Sequence, residues 1–154
     1  MKKTIFTLLT MLSMNAYAIS LPVTESMVNS QVIKSFPKTI KKIELSNPKI
    51  TLLNGKSIIC MDGVPRIMFL QKPFKMCASF KPSWNEKESR LEATHMNLME
   101  MNIDGVGNVP ASLKGILSET VVMLEPLVLY KSDSWLTKQI SSIEVEQGMM
   151  YLKF

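Results

Sequence analysis

Between positions 110 and 130 the chain reads PASLKGILSETVVMLEPLVLY. Leu113, Ile116, Leu117, Thr120, Val121, Leu124, Leu127 and Val128 recur there at three- and four-residue steps. That spacing draws one apolar stripe along a helix of 3.6-residue period. Pro110 suits the first helical turn, where a missing N–H costs nothing. Lys114, Gly115, Ser118 and Glu119 give the first half a polar back. The second half lacks one: Val122 and Leu129 fall where polar residues stood, and only Glu125 is charged. A helix apolar nearly all round must be covered nearly all round. Pro126 sits inside the run and should bend it. The pattern therefore predicts a long kinked helix held in the concave face of a sheet. A core helix on a flat sheet is the plainer arrangement, and residues 127–130 as a short strand are the alternative.

The other segments read mostly as strands. Thr24 is a good N-cap, with Glu25 at the positive end of the helix dipole. It opens a short helix whose stripe is Met27, Val28, Val32 and Ile33, ended by Pro37. From residue 43 the period changes to two. Ile43 and Leu45 alternate with Glu44 and Ser46, residues 50–53 follow, and Asn54-Gly55 signals a tight turn. Residues 57–69 are extended, with Gly63 and Pro65 marking an irregularity such as a bulge. Phe74, Met76, Ala78 and Phe80 alternate with polar neighbours, as on a half-buried strand. Across 90–103, Leu91 and Ala93 begin on one face and Met96 and Leu98 continue on the opposite parity. A bulge near His95 reconciles them. A Gly-rich loop at 104–108, a short helix from Trp135 to about Ser141, and two strands joined at Gln147-Gly148 complete the chain. The order predicts an α+β fold: a curved antiparallel sheet wrapped around a long kinked helix in the C-terminal half, with a short N-terminal helix.

Residues 1–18 stand apart. Lys2 and Lys3, an apolar run at 5–12 and Ala16-Tyr17-Ala18 form a secretory signal, with Ala16 and Ala18 marking the cleavage site. The expected product is a soluble periplasmic protein, 19–154, forming one domain. Secretion outside the cell is the alternative. Of 18 Lys and Arg residues, the leader holds two and no acid, so 16 face 13 acids and the mature net charge is +3. That balance is too mild for nucleic-acid binding. Lys34, Lys38, Lys41, Lys42 and Lys49 cluster early, as a solvated face or as a peripheral contact with an anionic membrane surface. If Gln71–Lys72 is a hairpin turn, Phe69 faces Phe74 and Arg66 faces Cys77. Cys60 then lies roughly 20 Å from Cys77 at strand rise, and both thiols are expected free.

Two motifs resemble the YceB-like family of bacterial exported proteins. Val23-Thr24-Glu25-Ser26-Met27-Val28-Asn29 is similar to that family's opening strand and helix, and Ile143-Glu144-Val145-Glu146-Gln147-Gly148-Met149-Met150-Tyr151-Leu152-Lys153-Phe154 to its ending. The resemblance implies a curved sheet around a helix, similar in shape to tubular lipid-binding modules, and carries no catalytic residues. Many members bear a cysteine directly after the signal. Here Ile19 and Ser20 follow Ala18, so the resemblance does not extend to a lipid anchor.

Candidate chemistry is sparse. His95 is the only histidine, and neither cysteine sits in a catalytic motif. Gly105-Val106-Gly107 lacks the rest of a phosphate loop. No catalytic residue, metal site or cofactor is expected. Ten methionines follow the leader, most in predicted strands, where flexible thioethers suit either core filling or an adaptable apolar surface. The expected function is non-enzymatic binding of an apolar small molecule, such as a lipid acyl chain, between helix and sheet. The lining residues would be Leu117, Val121, Leu124, Val128, Met61, Phe69, Met76 and Phe80. A 16-carbon chain gains on the order of 10 kcal/mol gross from burial, before ordering costs. The alternative is a periplasmic protein-interaction or chaperone-like module with a filled core and an apolar outer patch.

Overall fold

The computed structural model describes residues 19–66, 72–103, 105, 109–133 and 139–154. The leader expected at 1–18, with Ala16 and Ala18, lies outside them. So do residues 135–138 of the short helix expected from Trp135 to about Ser141. The elements run β1 (Ser20–Thr24), α1 (Glu25–Ile33), β2 (Lys38–Ile40), β3 (Ile43–Leu53), β4 (Lys56–Pro65), β5 (Phe74–Asn85), β6 (Arg90–Ile103), α2 (Ala111–Met123), β7 (Leu127–Lys131), β8 (Ser142–Glu146) and β9 (Met149–Lys153). Strands β2 to β7 form one antiparallel meander in sequence order, and a second sheet runs β1-β9-β8. One hydrophobic core joins residues of both sheets and both helices.

The expected long central helix is not formed, and the fold is not a sheet wrapped around one. Strands hold 57% of the described residues and helices 19%, so the molecule is mostly β, with a curled half-barrel sheet. The run at 110–130 divides at Pro126. Helix α2 stops at Met123, and Leu127 and Leu129 are buried while Val128 and Tyr130 are half-buried, the alternation of a strand. The proline supplies no donor for the next helical turn, and its ring clashes with the turn before it. The Glu125 carboxylate also accepts a hydrogen bond from the Met96 N–H, tying the corner to β6. An all-apolar stretch such as Leu127-Val128-Leu129 satisfies a helical and a strand pattern equally. The short strand held as the alternative for 127–130 is the observed state.

The helix that reaches across the sheet is α1. It packs against β3 and against β7, strands near opposite ends of the six-strand order. Val28 and Val32 are buried there, while Met27 and Ile33 of the expected stripe are largely exposed. Thr24 caps the helix by accepting from the Met27 N–H at 3.2 Å.

Helix α1 also completes an edge. Strand β2 covers only Ile43–Leu45 of β3. Beyond it β3 is bulged between Ser46 and Lys49, where Asn47 has φ 50° and Pro48 has no N–H. The next outward-facing backbone groups belong to Ile50 and Leu52. The Asn29 side chain donates to the Ile50 carbonyl at 3.0 Å and accepts from the Ile50 N–H at 2.7 Å. Glu25 accepts from the Leu52 N–H at 2.9 Å. The Gly148 N–H donates to the Leu52 carbonyl at 2.9 Å, and its own carbonyl accepts from the Glu25 N–H at 3.0 Å. A helix face and a turn thus stand in for a missing strand. Gly148 holds φ 76°, a conformation other residues rarely adopt.

Several sequence features appear as expected. Asn54 and Gly55 form the two-residue turn between β3 and β4. Phe74, Met76, Ala78 and Phe80 are the buried residues of β5's first half. His95 has φ 51°, and the β5–β6 register shifts there, between the pairs Ser79–Asn97 and Lys81–Thr94. The cysteines do not follow the expectation. Strand β4 ends at Pro65, and Gly63, not Phe69, faces Phe74. Cys60 therefore lies opposite Cys77, with Cα atoms 4.0 Å apart, and the two form a disulfide. No irregularity marks Gly63. A Cβ there would meet the Phe74 ring at 2.2 Å, so the glycine seats the aromatic ring and sets the register.

Replacing Asn29 by alanine strips partners from both polar groups of Ile50 at a part-buried site. Such orphaning costs about 1–3 kcal/mol. Chemical denaturation should show that loss for Asn29→Ala and little change for the exposed Ser30→Ala. Equal stability of the two variants would mean the edge does not need the clamp.

Candidate functional site

Helix α2 lies against β6 and presents two different faces. Its inward side, Leu117, Thr120 and Val121, with Leu124 just beyond, is buried in the core. Thr120 satisfies its hydroxyl by donating to the Ile116 carbonyl one turn back at 2.8 Å.

Beside this helix, over the ends of β5 and β6, lies a cleft of about 700 Å³. Met76, Leu98, Met99, Met101, Ile103 and Val109 contribute its apolar lining, and Lys75, Glu100, Asn102, Lys114 and Ser118 its polar one. Lys114 and Ser118 are one turn apart on α2, so they share the side that borders the cleft. The sheet part owes its shape to a second bulge. The β5–β6 register shifts between Cys77–Glu100 and Ala78–Leu98, leaving Met99 unpaired. That extra residue returns Met101 and Ile103 to inward positions after Met96 and Leu98.

Of the eight residues expected to line a groove, Met76 borders this cleft. Met76 is itself buried in the core, and so are Leu117, Val121, Leu124, Met61 and Phe80, which do not border the cleft. Val128 is half-buried on β7, and Phe69 lies outside the described residues. Leu98, Met101 and Ile103 were missed as lining residues. Their signal was present: apolar positions switch from even to odd parity between Leu98 and Met101, the mark of a bulge.

The outer side of α2 is also apolar. Val122 is 55% exposed, Met123 54% and Ile116 39%. The β2–β3 turn stands against it, and the Lys41 ammonium pairs with the Glu119 carboxylate. Lys41, Ser118, Glu119, Val122 and Met123 border a shallow surface depression. The hydrogen bond from Lys41, reinforced by its charge, holds the Glu119 carboxyl below the usual carboxylate range.

His95 is exposed, its Nδ1 3.2 Å from the Thr94 hydroxyl. With Cys60 and Cys77 bonded to each other, neither offers a thiolate to pair with it. Among the described residues, no three histidine, cysteine or carboxylate groups converge on a metal position, and no helix is long and apolar enough to cross a membrane. No protein-family model matches the chain, and no curated protein matches it.

Two outcomes test this geometry. Leu124 is only 2% exposed. Inserting an indole into a packed core costs roughly 1–3 kcal/mol or more. Leu124→Trp should therefore lower the denaturation midpoint, whereas wild-type stability would reveal free space beside α2. The second concerns Glu119. Its lowered value means the ion pair stabilises the fold above the ordinary carboxylate pKa, and that contribution is lost as pH falls through the lowered one. A carbon-detected NMR titration should find Glu119 protonating late in wild type and in the ordinary range in Lys41→Ala.

Proposed function

We propose that the protein is a non-enzymatic binding module that takes an apolar chain into the cleft between α2 and β5–β6. The observation that carries this reading is the cleft itself. Its volume, about 700 Å³, falls within the range of about 300–1,000 Å³ usual for small-molecule sites. Met99 and Met101 contribute to its apolar lining, with Met76 buried at its edge. Thioethers adapt to chains of different length and bend, which suits a site of low shape specificity. Lys75 and Lys114 outnumber Glu100 among its charged residues, so a chain ending in a carboxylate or phosphate fits better than a cationic one.

The likeness to the YceB-like family points the same way through its tubular lipid-binding shape, but its motif residues have another use. Thr24 caps α1, Glu25, Asn29 and Gly148 close the edge of β3, and none of them lines the cleft. Placement in the periplasm belongs to the same proposal and rests on the leader pattern. The protein-interaction reading is favoured by one observation, the apolar outer face of α2 over a filled core.

Displacement of a fluorescent fatty acid from delipidated protein tests the cleft. Met101 is half-buried in its lining, so Met101→Trp should fill the space without entering the closed core. Saturable probe binding is expected in wild type. It should weaken at least tenfold in the variant, with the melting temperature nearly unchanged. Absence of saturable binding in wild type would defeat the cleft reading and leave the interaction module as the better one.

A further inference from the structure

We propose that the outer face of α2, together with the β2–β3 turn, docks on an anionic lipid surface. The face carries three large apolar side chains that the fold leaves in water, Ile116, Val122 and Met123. Scattered single exposures are ordinary, but three on one 13-residue helix form a patch.

The turn beside it is unusual. Ile40 pairs with Ile43, so Lys41 and Lys42 are the two turn residues, and their φ values are 47° and 64°. A tight turn with both central residues at positive φ favours Asn-Gly. Two lysines there cost backbone strain. The return on that strain is placement: both lysines sit exposed at the end of the hairpin, and Lys41 is bonded onto α2 through Glu119.

Charge complementarity selects the occupant. Lys41 neutralises Glu119, the acid of this face, and Arg66 neutralises Glu44 on the neighbouring strand. Lys42 and Lys114 make no ion pair among the described residues. An apolar patch with unpaired lysines beside it matches an anionic bilayer. Aliphatic side chains enter the acyl boundary and lysine stems extend to the headgroups. A protein partner fits less well, because protein hot spots are enriched in Trp, Tyr and Arg. The exposed residues of α2 include none of these. Ser118 borders both this face and the cleft, so a chain leaving the bilayer would meet the cleft along the same helix.

Vesicle flotation tests the surface, using phosphatidylcholine with and without phosphatidylglycerol. Wild type should float with the phosphatidylglycerol vesicles, and less so as salt rises. The double variant Val122→Ser, Met123→Ser should reduce the bound fraction at least tenfold. A lysine near such a surface is worth about fivefold in affinity. Lys42→Glu should lose at least that much, and Lys87→Glu, on the β5–β6 turn, should change nothing. All these positions are exposed, so thermal unfolding should confirm intact folds. Met101→Trp should float like wild type, so this surface and the cleft can fail separately. Three results would overturn the proposal: no flotation, equal flotation on phosphatidylcholine alone, or indifference to both α2 and Lys42 changes. A wild-type dimer that the double variant dissociates would also overturn it, by assigning the face to self-association.

Discussion

The fold depends on the closing of one strand edge. Strand β3 is eleven residues long, but β2 pairs with only its first three. Past the bulge, the N–H and C=O groups of Ile50 and Leu52 would face either water or another chain's edge. Asn29 satisfies both groups of Ile50, and Glu25 and Gly148 divide those of Leu52. A carboxamide is the side chain able to give and accept one bond in the pattern of a neighbouring peptide. Placing it on α1 forces the helix across the concave side, where it also reaches β7. The same bonds hold Gly148, and through it the β8–β9 hairpin, against the end of β3. One set of four hydrogen bonds therefore joins the two sheets and the helix that bridges them.

Because α1 takes that place, α2 is released from it. A helix wholly enclosed by a curled sheet would bury every apolar side chain from residue 113 to 128. Helix α2 buries one side only, and its other apolar residues remain outside. The position of Pro126 decides this division: it ends the helix early and sends Leu127 and Leu129 into β7, where alternation lets the strand bury them alone. The apolar content that argued for an enclosed helix is thus shared among a strand, a packed helix face and an exposed one.

Local chemistry made much of the sheet legible. The Asn54-Gly55 turn, the alternation of β5 and the parity break at His95 are short-range signals, each with its own steric cause. Strand β6 runs from Arg90 to Ile103, the bounds its pattern suggested. What failed was long-range. The β4–β5 register was inferred from a tight turn at Gln71–Lys72, and no short-range rule showed that the Phe74 ring must sit on Gly63. That contact moves the pairing and brings Cys60 onto Cys77. The functional residues failed for a related reason. A stripe such as Leu117-Val121-Leu124 reads identically whether it lines a groove or fills a core, because periodicity reports the buried face and not its neighbour. Met76 borders the cleft because the β5–β6 register sets it beside Met101, a fact of strand pairing.

The two faces of α2 have a common physical logic. Folding to a filled core rewards apolar residues toward β6, but it gives no benefit for Val122 and Met123 in water. It gives none for Lys42 in a strained turn either, since the Glu119 pair involves Lys41 alone, and Gly or Asn would hold that turn at lower cost. Neither feature is explained by the stability of the isolated chain. They stand together: Lys41 reaches Glu119, and Glu119 lies one turn from both Ile116 and Met123 along the exposed side. Apolar surface and positive charge that are separately unfavourable become favourable together at a surface offering hydrocarbon beneath anions. On the proposed lipid reading, the cleft on the adjoining side of the same helix has a reason for its position. A hydrocarbon chain drawn from such a surface would pass Ser118 and Lys114 and reach the methionine-lined space, with little of its length crossing open water.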